Sequence, residues 1–361
     1  MQCGIQMLFQ NPGNLSDAEV YDAELKIAKL AEPTGFDSLW CVEHHFTDYT
    51  MCPDVTQFLS YMAGVTRTIK LGTGAVILPW HDPLRVAEEI ALLDYYSNGR
   101  TLLGMGRGLA RVEYEGFRVN MNESRVRFDE SSRMIVEALK TGFAEYDGEL
   151  IKQPRVEIRP RPRYSFENRT YSVAMSPDSV DAGAVLGSQI MLFMQKPMAD
   201  IVPEVDRYRK IYREQHPGKT PPPPLCIDFV ICDESADRAE EMARKYTAAY
   251  FLSAAQHYEM AGDHFAETKG YAAYGDSAKM LKELGLEAVA NVFVDLQIWG
   301  TPQQIIEKAE ARRKLLGDFE FNGSFSFSGM PYDYVEKSIK LFGQKCIPEF
   351  HSWNESEASA A

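Results

Sequence analysis

Apolar runs of strand length alternate with segments of helical periodicity along most of the 361 residues, and this alternation limits the possible folds more than any other feature. Cys3–Phe9 reads as the first strand. Asp17–Glu32 follows as a helix, stopped by Pro33-Thr34-Gly35. Seven further strands are expected at Asp37–Val42, Ile69–Leu78, Thr101–Met105, Tyr171–Met175, Gln189–Met194, Ile227–Cys232 and Ser324–Phe327. Among them, Val55–Val65, Leu84–Tyr96, Val126–Leu139, Ile201–Glu214, Ala236–Leu252 and Tyr334–Phe342 read as helices. Eight strands alternating with helices predict an α/β chain folded as a (β/α)8 TIM barrel with insertions; a doubly wound sheet is the competing arrangement.

A single barrel domain is expected over residues 1–352. Residues 143–168, rich in Pro and Arg, read as an inserted hairpin and loop. Residues 253–300 are too long for a simple crossover and read as an active-site lid. Pro221–Pro224 forms a rigid linker, and the small, polar residues 353–361 a disordered tail. The charge balance, 38 basic against 52 acidic residues for a net −14, argues against nucleic-acid or anionic-membrane partners. Six scattered cysteines without a CxxC pair read as reduced thiols in a cytoplasmic protein, with no metal site. No signal peptide and no apolar run of the ~18 residues a membrane span needs are visible.

The motifs that carry chemistry lie at the carboxyl ends of the expected strands, where α/β folds place their active sites. Gly35–Phe46 leads a strand into the adjacent pair His44-His45, preceded by Glu43. Imidazole titrates nearest neutral pH. The two side chains diverge, so one can act on a ligand while the other organises the loop. Gly72 and Gly74 interrupt the third strand, which marks either close approach of backbone to a flat ligand or tight helix packing. Gly104-Met105-Gly106-Arg107-Gly108-Leu109 lacks the third glycine of a dinucleotide fingerprint and is not followed at once by a helix. Arg107 reads instead as a phosphate or carboxylate clamp, or as a surface ion-pair partner. Met175-Ser176-Pro177-Asp178-Ser179 opens a helix, and Ser176 suits capping, phosphate binding or both. Phe46, Met105, Leu109, Met175, Phe193, Met194 and Trp299 crowd the strand ends as core or pocket lining.

Taken together, Gly35–Phe46, Leu71–Pro79, Pro83–Ser97 with Gly99-Arg100, Gly104–Leu109, Met121–Arg125, Val173–Ser179 and Gly300-Thr301-Pro302 resemble the bacterial luciferase-like flavin monooxygenases. The similarity is strongest over residues 1–140 and looks closest to the luciferase α subunit type. The resemblance implies reduced FMN (FMNH2) bound at the strand ends, with O2 as co-substrate and a C4a-(hydro)peroxyflavin that oxygenates a small, apolar organic substrate. It implies His44 as the catalytic histidine and His45 as its functionally important neighbour. Gly74, Ala75, Arg107, Leu109, Arg125, Met175, Ser176 and Ser179 are the implied cofactor-binding residues, with a non-proline cis peptide at Gly74-Ala75 against the flavin ring. Phe46, Met105 and Met194 are the expected substrate pocket. Two positions depart from the family pattern: Met175 stands where a carboxylate is usual, and Gly106 where luciferase has a reactive cysteine. A separate flavin reductase partner and a dimer built on helices 55–65 and 84–97 are also implied. F420-dependent hydride transfer and non-catalytic flavin binding are the alternatives the same resemblance leaves open.

Overall fold

The computed structural model describes all residues except 14, 272–273, 275–280 and 359–361, so part of the expected lid (253–300) and part of the expected tail (353–361) lie outside the described residues. Eight parallel strands form the barrel: β1 (Cys3–Met7), β2 (Ser38–Cys41), β3 (Lys70–Thr73, resuming at Val76–Ile77), β4 (Thr101–Gly106), β5 (Thr170–Val173), β6 (Gln189–Phe193), β7 (Leu225–Phe229) and β8 (Glu320–Ser324). Each pairs with the next, and β8 pairs with β1, Cys3 opposite Phe321, which closes the ring. The doubly wound alternative is thereby excluded.

Two layers of apolar side chains hold the ring. Trp40, Leu102, Tyr171, Met191, Leu225 and Ile227 form one buried cluster drawn from β2, β4, β5, β6 and β7, with Trp40 edge-on to Tyr171 at 4.9 Å. A Cβ on Gly72 would come within 2.2 Å of the Trp40 indole, so only glycine on β3 lets this ring lie flat. The larger core, with Ile5, Leu39, Leu71, Leu103 and Ile190, lies between strands and helices. Each such side chain contributes roughly 1.5–3 kcal/mol on burial.

Several elements differ from the sequence-based expectation. The third strand breaks at Gly74-Ala75, whose peptide is cis as the resemblance implied. The last strand is Glu320–Ser324 rather than Ser324–Phe327. Its buried Asn322 donates to Gln6 Oε1 at 2.6 Å, so a strand with a buried polar residue escapes an apolar-alternation reading. Phe325 and Phe327, which suggested the strand, follow it and pack on Phe36 and Phe229. Pro302–Leu316 is a helix whose inward face carries a charge: Arg312 makes a buried, two-pronged ion pair with Asp228 at 2.5 and 2.7 Å. The expected helix 236–252 runs on to His257, with a wider turn at Ala243–Thr247. Phe143–Asp147 and Lys152–Glu157 pair as an antiparallel hairpin. Ile347–Ala358 is helical. All six cysteines are buried and free. No helix among the described residues is long and apolar enough to cross a membrane.

Candidate active site

Beyond β2 the chain runs without regular structure through His44 and His45, tied back where the His44 N–H donates to Cys52 O at 3.3 Å. The two histidines serve different carboxylates. His44 faces the central cavity. Its Nδ1 lies 2.9 Å from Glu113 Oε1 and its Nε2 3.0 Å from the Tyr258 hydroxyl. His45 turns away, its Nε2 3.2 Å from Glu43 Oε1 and its ring edge-on to Phe117. Glu43 also receives the Trp80 indole N–H at 2.7 Å, His81 Nε2 at 2.8 Å and the Ile77 N–H at 3.2 Å. The two side chains diverge as the sequence reading expected, His44 toward the cavity and His45 toward Glu43.

Glu113 comes from a short helix, Arg111–Phe117, that periodicity does not reveal. Burial by itself would raise its carboxyl, but the neighbouring His44, by its positive form and its hydrogen bond, and the His257 imidazole 3.6 Å away outweigh that and hold it well below the usual carboxylate range. Glu43 behaves likewise: burial opposes ionisation, and donors on His45, His81 and Trp80 overcome it. Burial pushes the Tyr258 hydroxyl well up, so it stays protonated against His44.

A cavity of about 300 Å³ lies between these groups and the strand ends, a size within the range of ligand pockets. Gly74, Ala75, Gly106, Arg107, Leu109, Met175 and Ser179 line it. Gln6 Nε2 donates to Gly74 O at 2.9 Å, fixing the cis peptide from inside the barrel. A Cβ on Gly106 would stand 2.6 Å from Ile77 Cδ1 and 3.4 Å from Ala75 Cβ, so glycine there keeps open the space beside Ala75. At one end, Arg125 Nη2 donates to Ser179 Oγ at 2.9 Å, and Ser179 and Ser176 hydroxyls meet at 3.0 Å. Ser176 occupies the N-cap position of Pro177–Leu186 without capping it through its side chain. Arg125 Nε is buried without a partner among the described residues. Its guanidinium is lowered from its usual range by burial, then by the charge of Arg107. Arg107 donates to Gly270 O at 2.9 Å and stacks on Tyr271 at 4.0 Å.

The other expected site residues sit elsewhere. Met105 and Met194 are buried core residues that do not line the cavity. On β4 successive side chains alternate, so Gly104 and Gly106 share one face and Met105 takes the other. Phe46, 61% exposed and at a φ of 66°, lines a separate outer cleft of about 780 Å³. Residues that sequence reasoning missed form much of the wall: Tyr49 and Tyr250 behind His44, and Tyr258, Met260, Phe265, Tyr274, Leu281 and Phe293 from the long 253–300 segment. The unusual length of that segment was the available signal.

His44, Glu113 and His257 bring ligand-type atoms within 4.8 Å of one another. Both ring nitrogens of His44 are already hydrogen-bonded, and Glu113 Oε1 also accepts the His45 N–H at 2.8 Å.

The luciferase-like monooxygenase family profile matches residues 1–318, and the chain belongs to that family. It is 25% identical over 355 residues to the alkanal monooxygenase alpha chain of Photorhabdus luminescens, covering 96% of each chain. Solved structures share the fold. The monooxygenase RslO1 of Streptomyces bottropensis superposes with a TM-score of 0.78 at 23% identity, over 97% of this chain and 100% of that one. The oxygenating constituent of 3,6-diketocamphane monooxygenase from Pseudomonas putida, in complex with FMN, gives 0.71 at 18% identity over 96% and 98%. The F420-dependent tetrahydromethanopterin reductase of Methanopyrus kandleri gives 0.67 at 21% identity over 97% and 99%.

Proposed function

We propose that this chain is the oxygenating component of a two-component monooxygenase, using FMNH2 from a separate flavin reductase and O2 to oxygenate a small, apolar aldehyde, ketone or related compound. The observation that carries the reading is the convergence, in one cavity, of His44, the cis Gly74-Ala75 peptide, Arg107 and Ser179, with Arg125 bonded to Ser179 at its edge.

The residues fit the cofactor. A phosphate monoester suits two neighbouring guanidiniums, the Ser176 and Ser179 hydroxyls and a ten-residue helix N-terminus, and it offers the unpartnered Arg125 Nε an acceptor. The backbone at Gly74-Ala75, free of bulky side chains, suits a flat ring. Met175 contributes no carboxylate to repel the phosphate. Reduced FMN with O2 supplies the oxygen-transfer chemistry. The protein's part is to bind, to exclude water and to place a proton. Tyr250, Phe251, Phe265 and Phe293 make the walls apolar. His44 takes or gives the proton at Nε2, while Glu113 orients the ring through Nδ1 and Tyr258 keeps a donor at the same atom.

The 253–300 segment is the lid in this reading: it lines the cavity and, through Gly270 and Tyr271, grips Arg107. Tyr61, Val65, Leu92, Tyr95 and Tyr96, exposed on helices Val55–Val65 and Pro83–Ser97, favour a dimer through that face.

The test is anaerobic mixing of the protein with FMNH2, addition of ¹⁸O2 and a panel of aldehydes and ketones, and mass analysis of products beside H2O2 release. Incorporated ¹⁸O in wild type, lost in His44→Ala, supports the reading. Quantitative H2O2 with no labelled product across the panel leaves a flavin-binding role. Oxygen-independent turnover with F420H2 would move the chain to the hydride-transfer branch, whose fold it shares.

A further inference from the structure

The outer cleft and the central cavity are separated by a wall that Tyr49, His257 and Tyr258 build. Tyr49 lines both spaces, and its ring stacks on His257 at 4.5 Å. Within this wall a row of proton-carrying groups runs from the cavity to the cleft. His44 Nδ1 is 2.9 Å from Glu113 Oε1. The same oxygen is 3.6 Å from His257 Nε2, a buried nitrogen that has no hydrogen-bond partner among the described residues. On the far side of that ring, His257 Nδ1 is 2.9 Å from Thr47 Oγ1. Thr47 and His257 both line the outer cleft.

We propose that His44, Glu113, His257 and Thr47 form a proton relay joining the active-site cavity to the water of the outer cleft. The inference rests on the reading of His44 as the proton-handling group and adds to it the route. In the outward direction a proton arrives at His44 Nε2 and the Nδ1 proton passes to Glu113. Glu113 passes a proton to His257 Nε2, and the Nδ1 proton of His257 leaves through the Thr47 hydroxyl to water. One proton enters and one leaves. Only N–H and O–H bonds are made and broken, and no oxidant or reductant takes part. The 3.6 Å step exceeds a hydrogen bond and is the contact that must tighten, as catalytic hydrogen bonds commonly do in the loaded site. Ionised Glu113 steadies whichever imidazole carries the charge, and its protonated form is a brief stop. The groups facing His257 are Glu113, His44, Tyr49, Tyr258 and Thr47. Burial pushes both tyrosine hydroxyls up, so neither competes for the proton as a base.

The route solves a problem set by the lid. A cavity kept dry for oxygen transfer still has to exchange protons with solvent. The relay does so through a side wall without opening the 253–300 segment.

The first readout uses flavin-free protein labelled with ¹⁵N-histidine. Exchange of the His44 Nδ1 proton with water is followed by NMR in wild type, His257→Phe and Thr47→Val. The relay predicts slowing on the order of ten-fold or more in His257→Phe and a smaller slowing in Thr47→Val. The second readout is ¹⁸O product formation in the complete enzyme with FMNH2. There His257→Gly loses rate, and added imidazole, entering through the outer cleft, restores it. Unchanged exchange and unchanged rate in His257→Phe, with His44→Ala inactive, overturn the relay and leave the functional reading standing. If His44→Ala also matches wild type, the reading beneath it fails. Loss of rate in His257→Gly that imidazole does not restore, with normal His44 exchange, assigns His257 a packing role and overturns the relay. The partly exposed Thr47→Val keeps the test open should the buried variants not fold.

Discussion

Glu43 and Glu113 are both buried, both faced by two histidines and both held ionised, yet one cluster is closed and the other open. Around Glu43, hydrogen-bonded contacts to His45, His81, Trp80 and the Ile77 N–H join the β2 loop to the end of β3. Around Glu113, His44 and the His45 N–H are held at hydrogen-bond distance, but His257 stands at 3.6 Å with a nitrogen to spare. A carboxylate with all its donors in place is a structural clamp. One beside a histidine nitrogen still unengaged, next to a cavity, has room to change partners during turnover. In the proposed function the Glu43 cluster is scaffold and the Glu113 cluster handles the chemistry, with the His44-His45 dipeptide connecting them.

The largest expected effect is from His44→Ala, which lowers ¹⁸O product formation by about 10²–10⁴-fold while FMN binding, followed by fluorescence quenching, persists. Glu43→Ala should cost about 3–5 kcal/mol of unfolding free energy in urea, because it strands the donors of buried His45 and of partly buried His81 and Trp80. Glu113→Gln should reverse the balance, with turnover falling by roughly ten-fold or more and stability changing less than in Glu43→Ala. Equal stability losses in the two would abolish the distinction.

A third buried carboxylate sharpens the contrast. Glu24 has no histidine; it accepts from Ser326 Oγ at 2.5 Å, and burial pushes it up to about 7 although hydrogen bonds oppose the rise. Because the folded state binds this proton more tightly, the stabilisation is complete below the ordinary value of 4.5 and is lost as pH rises through about 7. The span corresponds to about 3 kcal/mol. Glu24→Gln should therefore gain on wild type steadily between those pH values in urea titrations. Glu43 and Glu113 run in the other direction: their contribution is present above the ordinary carboxylate value and fades as pH falls. The smallest effect is expected from chelation. EDTA should leave activity unchanged if Glu113 and its histidines act as hydrogen-bond partners rather than metal ligands.

Much of the site was legible because it lies in short runs. His44-His45 after an apolar strand, Gly74-Ala75, Arg107 and Ser176–Ser179 each carry a local signal, and the fold brings His44, Gly74, Ala75, Arg107 and Ser179 to one cavity. Met105 and Met194 were misleading in the same local way, since an apolar residue at a strand end can face either side. Glu113, 69 residues from His44, and Tyr258, 214 residues away, gave no such signal. A lone glutamate in a polar helix and a tyrosine in a long loop look ordinary until packing buries them.

The chain by itself determined the barrel, through eight strands separated by helices, and determined that the two adjacent histidines would diverge, because neighbouring side chains on an extended backbone point apart. Only the tertiary structure decided which histidine meets which carboxylate. That choice depends on where distant segments dock in the closed ring, and the burial that docking imposes raises Glu24 while histidine and indole donors hold Glu43 and Glu113 low.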